Sequence, residues 1–201
     1  MYKLYLDIET IPAGEEQHGA LKILHAKKEA KKEKNGEDFE QYLLKTSFDG
    51  SFGRIICIAY AIDDNPVECL CKDEAEMLRK FWELAKDADL FIGHNVMDFD
   101  LRFIYQRSIV NRVLPSVDLN FARYRNYPIY DTMKEWVKWS MNSIGLEHVA
   151  LALGIPTPKD GIDGSQVFDF YKKGKIKEIA EYCKRDVEAT RAVYKRMTFR
   201  E

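Results

Sequence analysis

The chain has 201 residues, of which 46% are hydrophobic and 12% aromatic. At the usual scale of about 150 residues per domain, this supplies one core with room for an insertion and excludes a separate polymerase, helicase or ATPase module. The 31 Lys and Arg nearly balance 33 Asp and Glu, for a formal net charge of −2, so bulk charge gives no attraction to a polyanion, and any nucleic acid would have to be held locally.

The chain opens with a strand-period alternation, Tyr2, Leu4, Leu6 and Ile8 on one face and Lys3, Tyr5, Asp7 and Glu9 on the other. A carboxylate thus arrives before any signal-peptide core could form. No apolar run reaches the roughly 20 residues needed to cross a bilayer, and a cytoplasmic chain without membrane contact is expected. Pro12 and Gly14 end the strand. From about Glu15 to Lys45 the composition turns charged, with Lys27, Lys28, Lys31, Lys32 and Lys34 interleaved with Glu29 and Glu33. This stretch is read as an insertion carrying one solvated helix, a break at Asn35-Gly36 and a second helix at Phe39 to Leu44.

A turn over Phe48 to Gly53 precedes an apolar strand, Ile55 to Ile62, and Asp63-Asp64-Asn65-Pro66 turns the chain back into Val67 to Cys71 as a hairpin partner. From Glu74 to Ala85, Met77, Leu78, Phe81, Trp82 and Leu84 recur at helical spacing, and Leu90 to Gly93 reads as a short buried strand. Phe99 to Gln106 is expected to be helical, 110–125 carries no clear period, and Met133 to Trp139 shows another apolar helical stripe. Ile144 to Leu153 is a helix stopped by Gly154 and Pro156, Gln166 to Tyr171 a short one, and Ile176 to Met197 the longest. An antiparallel meander followed by alternating helices and strands is the order of a three-layer α/β/α sheet. The four cysteines, Cys57, Cys69, Cys71 and Cys183, are too sparse for a disulfide scaffold. Cys69-Leu-Cys71 lacks both the spacing and the second ligand pair of a zinc site, so buried free thiols are expected.

Three segments carry chemistry. Asp7 and Glu9 stand two apart on a strand, so their carboxylates share a face about 6 to 7 Å apart and repel unless a cation lies between them; hard oxygen donors of this kind suit Mg²⁺ or Mn²⁺. The alternative is a solvent-facing strand end. Asn95-Val96-Met97-Asp98-Phe99-Asp100 follows a buried strand, where α/β sheets keep their ligand crevices, although Asp98 or Asp100 could equally cap the next helix. In Tyr182-Cys183-Lys184-Arg185-Asp186, Tyr182 and Asp186 share a helix face; an ion pair would also account for the aspartate.

In order and context these three segments resemble the motifs of the DnaQ-like, or DEDD, 3′-5′ exonucleases. Leu6-Asp7-Ile8-Glu9-Thr10 matches the first motif, Asn95 to Asp100 the second, and Tyr182 four residues before Asp186 the tyrosine form of the third, the DEDDy subclass. With Gly53 to Ala59, Leu153-Gly154-Ile155-Pro156 and Asp163 to Val167, the chain is similar to the predicted exonucleases related to the proofreading domain of family B DNA polymerases. The likeness spans nearly the whole chain except about 15–45.

The resemblance implies a ribonuclease H-like fold with a mixed five-stranded sheet, and a single exonuclease domain over 1–201. It implies a two-metal hydrolase acting on 3′ ends of single-stranded nucleic acid, DNA favoured over RNA. Two divalent cations, Mg²⁺ or Mn²⁺, would be held by Asp7, Glu9, Asp100 and Asp186, with Asp7 between both ions, and Tyr182 would align the attacking water. Thr10, Asn95 and Phe99 become candidates for contact with the terminal nucleotide, and the lysine-rich insertion a basic flap at the rim. An exoribonuclease, and a binding or proofreading domain that acts only beside a polymerase or repair partner, are the alternative readings.

Overall fold

The computed structural model describes residues 1–30, 36, 38–157 and 162–200. Five strands, β1 (Lys3–Ile11), β2 (Arg54–Ile62), β3 (Glu68–Leu70), β4 (Leu90–Gly93) and β5 (Ile129–Asp131), form one mixed sheet in the spatial order β3-β2-β1-β4-β5. β1 runs antiparallel to β2 and parallel to β4, β2 and β3 form the expected hairpin, and β5 extends the parallel half. The helices are α1 (His18–Ala30), α2 (Phe39–Lys45), α3 (Glu74–Ala85), α4 (Asp100–Val110), α5 (Thr132–Trp136), α6 (Leu146–Ala152), α7 (Val167–Lys172) and α8 (Ile176–Met197). No helix among the described residues is long and apolar enough to cross a membrane.

The alternation in β1 sorts its residues between two cores. Leu4, Leu6 and Ile8 join Met77, Leu78, Phe81 and Trp82 of α3 and Leu101, Phe103 and Ile104 of α4 on one side of the sheet. Tyr5 and Ile11 join Ile179, Tyr182, Cys183, Val187 and Tyr194 of α8 on the other. A strand buried on both faces must be central, which explains why Tyr5, on the more polar face by sequence, is only 1% exposed. The first core is pinned by polar bonds: Trp82 Nε1 donates to Ser108 Oγ at 2.9 Å, and Ser108 Oγ donates in turn to the Ile104 carbonyl. At its edge Arg107 Nε and Nη2 clamp Glu74 at 2.9 and 2.8 Å, while Glu74 also accepts from the Ile55 amide.

Most elements lie where the hydrophobic period places them, and α8 spans Ile176–Met197 as expected. The strand β5 has no counterpart in the periodicity: three residues after Pro128 are too short to show alternation. The helix expected over Ile144 to Leu153 is shorter, Leu146–Ala152, and the one from Gln166 begins as a 3₁₀ turn, Gly164–Gln166, before α7. The charged stretch does form two helices. Only Leu21 of α1 is buried, and α1 and α2 hold each other through His25 against Phe39 and Tyr42 and through Lys28 Nζ, 4.8 Å above the Tyr42 ring. The pair returns to the sheet where Thr46 Oγ1 accepts from the Ala13 amide and Thr10 Oγ1 donates to the Ser47 carbonyl.

Candidate active site

The sheet brings the three motifs to one end of β1. Asp7 and Glu9 point from β1 toward α8, where Tyr182 and Cys183 precede Asp186 by about one turn of helix. Ligand atoms of Asp7, Glu9 and Cys183 all lie within 4.8 Å of one another. Cys183 Sγ donates to Asp7 Oδ2 at 3.2 Å, so the thiol fixes the orientation of that carboxylate. The β1–β2 register slips between Glu9 and Thr10, which leaves an extra residue on β2 opposite the end of the acidic pair. Such a bulge turns the strand locally and re-aims its side chains.

Asp100 reaches the same place from the other direction. β4 pairs β1 only from Lys3 to Tyr5, and beyond that point Asp100 Oδ1 takes up the main-chain donor of Ile8 at 3.0 Å. The aspartate thus occupies the position that a longer β4 would have filled. Its approach depends on a tight turn after β4. A Cβ on Gly93 would stand 2.5 Å from Val96 Cβ and 3.0 Å from the Leu6 carbonyl, so only glycine fits. Asn95 has φ 61°, in the left-handed region that asparagine tolerates better than most residues.

That turn is held by a residue the sequence analysis did not single out. Asp131, at the end of β5 and 1% exposed, accepts at Oδ1 from the amides of Asn95, Met133 and Lys134 and at Oδ2 from that of Met97. One carboxylate therefore caps α5 and clamps the loop that delivers Asp100. An Asp-Thr pair just ahead of an apolar helical stripe is a cap signature, but its reach to the Asn95 loop across the sheet is visible only in three dimensions. His94 bridges Thr132 Oγ1 and the Ile144 carbonyl at 2.9 and 2.8 Å through its two ring nitrogens, a structural role. Asp98 is turned away, paired with Lys134 at 2.7 Å.

The remaining sequence candidates make structural contacts. Asn95 gives its backbone to the turn. Thr10 donates to the Ser47 carbonyl and so ties the end of β1 to the segment after the inserted helices. Phe99 packs between Phe103, with ring centroids 5.5 Å apart, and Phe48, at 6.3 Å; Phe48 is 75% exposed. An aromatic step whose open face is Phe48 therefore leads to Phe99, the residue before Asp100.

Electrostatics sets the chemistry of the metal-free site. Burial, then the charges of Asp186, Asp100 and Glu9, pushes Asp7 well above the usual carboxylate range, and Glu9 is raised likewise by burial, Asp186 and Asp100. Asp100 is pushed up to about 7, chiefly by burial, against the lowering effect of its backbone hydrogen bonds. Tyr182 is raised far beyond an ordinary phenol by burial, by Asp186, Glu9 and Asp7, and by its hydrogen bond with Asp186. A set of oxygen donors that resist ionisation for want of positive charge fits one or more hard divalent cations, which would relieve that repulsion.

Comparison with known proteins gives a family match and a fold match. A family described as "Predicted 3'-5' exonuclease related to the exonuclease domain of PolB" matches residues 52–201, which include Asp100, Tyr182 and Asp186 but not Asp7 and Glu9. Among solved structures, the family B DNA polymerase from the hyperthermophilic archaeon Pyrobaculum calidifontis is similar, with a TM-score of 0.66 and 16% identity. The likeness covers 99% of this chain and 24% of the polymerase, and extends the shared fold through β1. No curated protein matches.

Proposed function

Because the chain belongs to the family of predicted 3′-5′ exonucleases related to the exonuclease domain of PolB, we propose that it is a DEDDy-type enzyme that removes nucleotides from the 3′ end of single-stranded DNA. The reading takes 1–201 as one catalytic domain. The observation that carries it is the mutual interaction of Asp7, Glu9, Asp100 and Asp186, from β1, α4 and α8, with Tyr182 facing Asp186, Glu9 and Asp7.

Asp7, Glu9 and Asp186 would hold one Mg²⁺ or Mn²⁺ ion and Asp7 with Asp100 a second. When bound, such a pair neutralises the phosphate, acidifies a water and stabilises the departing 3′ oxygen. The protein's own groups do the rest. Cys183 holds Asp7 in place by its S–H bond. Tyr182 stays protonated at neutral pH because its acidity is suppressed, so with its proton directed at Asp186 it orients the attacking water through its hydroxyl oxygen and is not a base. Phe99, packed between Phe103 and Phe48, seats the exposed ring of Phe48, on which a terminal base can stack without being read. Asn95 and Thr10 border the terminal sugar. Lys27 and Lys28 in the last turn of α1 supply a basic guide for the strand; Lys31 and Lys32, the other half of the expected flap, lie outside the described residues.

The test is a gel assay of 5′-labelled single-stranded DNA and RNA of equal sequence with Mg²⁺ or Mn²⁺, against Asp7→Ala. The proposal expects a ladder shortening from the 3′ end, faster on DNA and abolished by Asp7→Ala or by chelator. Faster shortening of RNA would make it an exoribonuclease, and no metal-dependent shortening of either would replace the enzyme with a binding domain or one that needs a polymerase or repair partner.

A further inference from the structure

All four cysteines of the chain converge beside the carboxylates. The β2–β3 register sets Ala59 opposite Cys69 and Ile58 opposite Leu70, so the next position in the ladder puts Cys57 opposite Cys71. Residues two apart on a strand share a face, which adds Cys69 to the same side. The result is a triad of sulfurs on the face that α8 covers, and ligand atoms of Cys57, Cys69 and Cys71 all lie within 4.8 Å of one another. Cys69 Sγ and Cys71 Sγ are 3.5 Å apart. From α8, Cys183 lies against Cys57 and Cys69 and donates to Asp7.

The sequence spacing of Cys69 and Cys71 alone does not suggest a metal, because the third sulfur, Cys57, lies across the hairpin. Buried thiols that merely fill a core behave as small apolar groups and have no need to point their sulfurs at one point. A tetrahedral ion with metal–sulfur bonds of about 2.3 Å sets its sulfurs about 3.8 Å apart, against 3.5 Å between Cys69 and Cys71 and no more than 4.8 Å within the triad. Cys71 also lines an open cleft with Arg54, Lys72, Tyr171 and Ile176, which gives an ion a way in and leaves a fourth position free for solvent.

We propose that Cys57, Cys69 and Cys71 form a second metal site, for one soft cation such as Zn²⁺, on the hairpin next to the carboxylates. The two donor sets differ in kind. Thiolates select zinc-like ions and carboxylates select Mg²⁺ or Mn²⁺, so one chain can hold both without exchange. Cys183 lies between them, a thiol that touches the sulfur set on one side and Asp7 on the other. The inference does not depend on nuclease activity.

The experiment titrates the reduced full chain with Co²⁺ in excess Mg²⁺, which occupies the carboxylates, and follows the intense near-ultraviolet thiolate-to-cobalt absorption. One equivalent of Co²⁺ should produce the band, Zn²⁺ should displace it, and Asp7→Asn should keep it. Cys69→Ser and Cys71→Ser should each weaken Co²⁺ affinity at least tenfold; both positions are only half-buried, and circular dichroism checks that the variants remain folded. Absence of the band in the wild-type chain, its persistence in the Cys69→Ser/Cys71→Ser double variant, or a disulfide among these residues in the freshly purified protein would each overturn the proposal.

Discussion

Asp100→Asn should stabilise the metal-free protein while destroying its activity. The folded chain raises Asp100 from an ordinary 3.8 to about 7, so folding holds a proton that the unfolded chain releases. Between those values the native state binds more protons than the unfolded state, and stability falls as pH rises. At about 1.4 kcal/mol per pH unit, the full penalty approaches 4 kcal/mol at about pH 8 and shrinks to under 2 kcal/mol near pH 5. The introduced carboxamide oxygen would still accept from the Ile8 amide, the bond Oδ1 of Asp100 now makes, without carrying charge into a site shared with Asp7, Glu9 and Asp186. A gain of even 2 kcal/mol would lift the melting temperature by about 4 to 8 °C for a chain of this size. The assay is thermal unfolding of wild type and variant in EDTA at both pH values, then with Mg²⁺. The variant should melt higher at the upper pH, the gap should narrow at the lower one, and Mg²⁺ should stabilise wild type more than the variant. A variant that melts lower at the upper pH, or a gap that widens on acidification, would refute the electrostatic account.

Other residues offer independent tests. Asp131→Asn keeps three acceptor bonds at Oδ1 but sets an NH₂ group against the Met97 amide, so urea unfolding should show a loss of about 2 to 3 kcal/mol, with an activity loss larger than the unfolded fraction accounts for; wild-type behaviour in both would remove Asp131 from its positioning role. Tyr182→Phe should lower the single-turnover cleavage rate roughly a hundredfold with DNA affinity unchanged, and full activity would mean that the hydroxyl aligns nothing. Lys27→Gln with Lys28→Gln should flatten the dependence of log affinity on log salt by up to about 1.4, at about 0.7 for each lost phosphate contact on a single strand. An unchanged slope would rule out the basic guide.

The local elements were legible from residue order because each depends on neighbours along the chain. Met77, Leu78, Phe81 and Trp82 at helical spacing make α3 wherever it packs, and the alternation from Tyr2 to Glu9 makes β1 a strand. The carboxylates of the candidate site were also found in the sequence, because Asp-x-Glu on a strand and Tyr-x-x-x-Asp on a helix are short-range patterns that the family resemblance could order. What the tertiary structure alone decided is what lies across from what. It placed Asp100 on the amide of Ile8 where β4 stops, made Asp131 the clamp of the turn at Asn95, and turned His94 from a loop residue into a brace between Thr132 and Ile144. It also gathered Cys57, Cys69 and Cys71 on one face beneath Cys183. Each of these juxtapositions arises from strand register and helix docking, which depend on the packing of both cores at once and leave no period in the sequence.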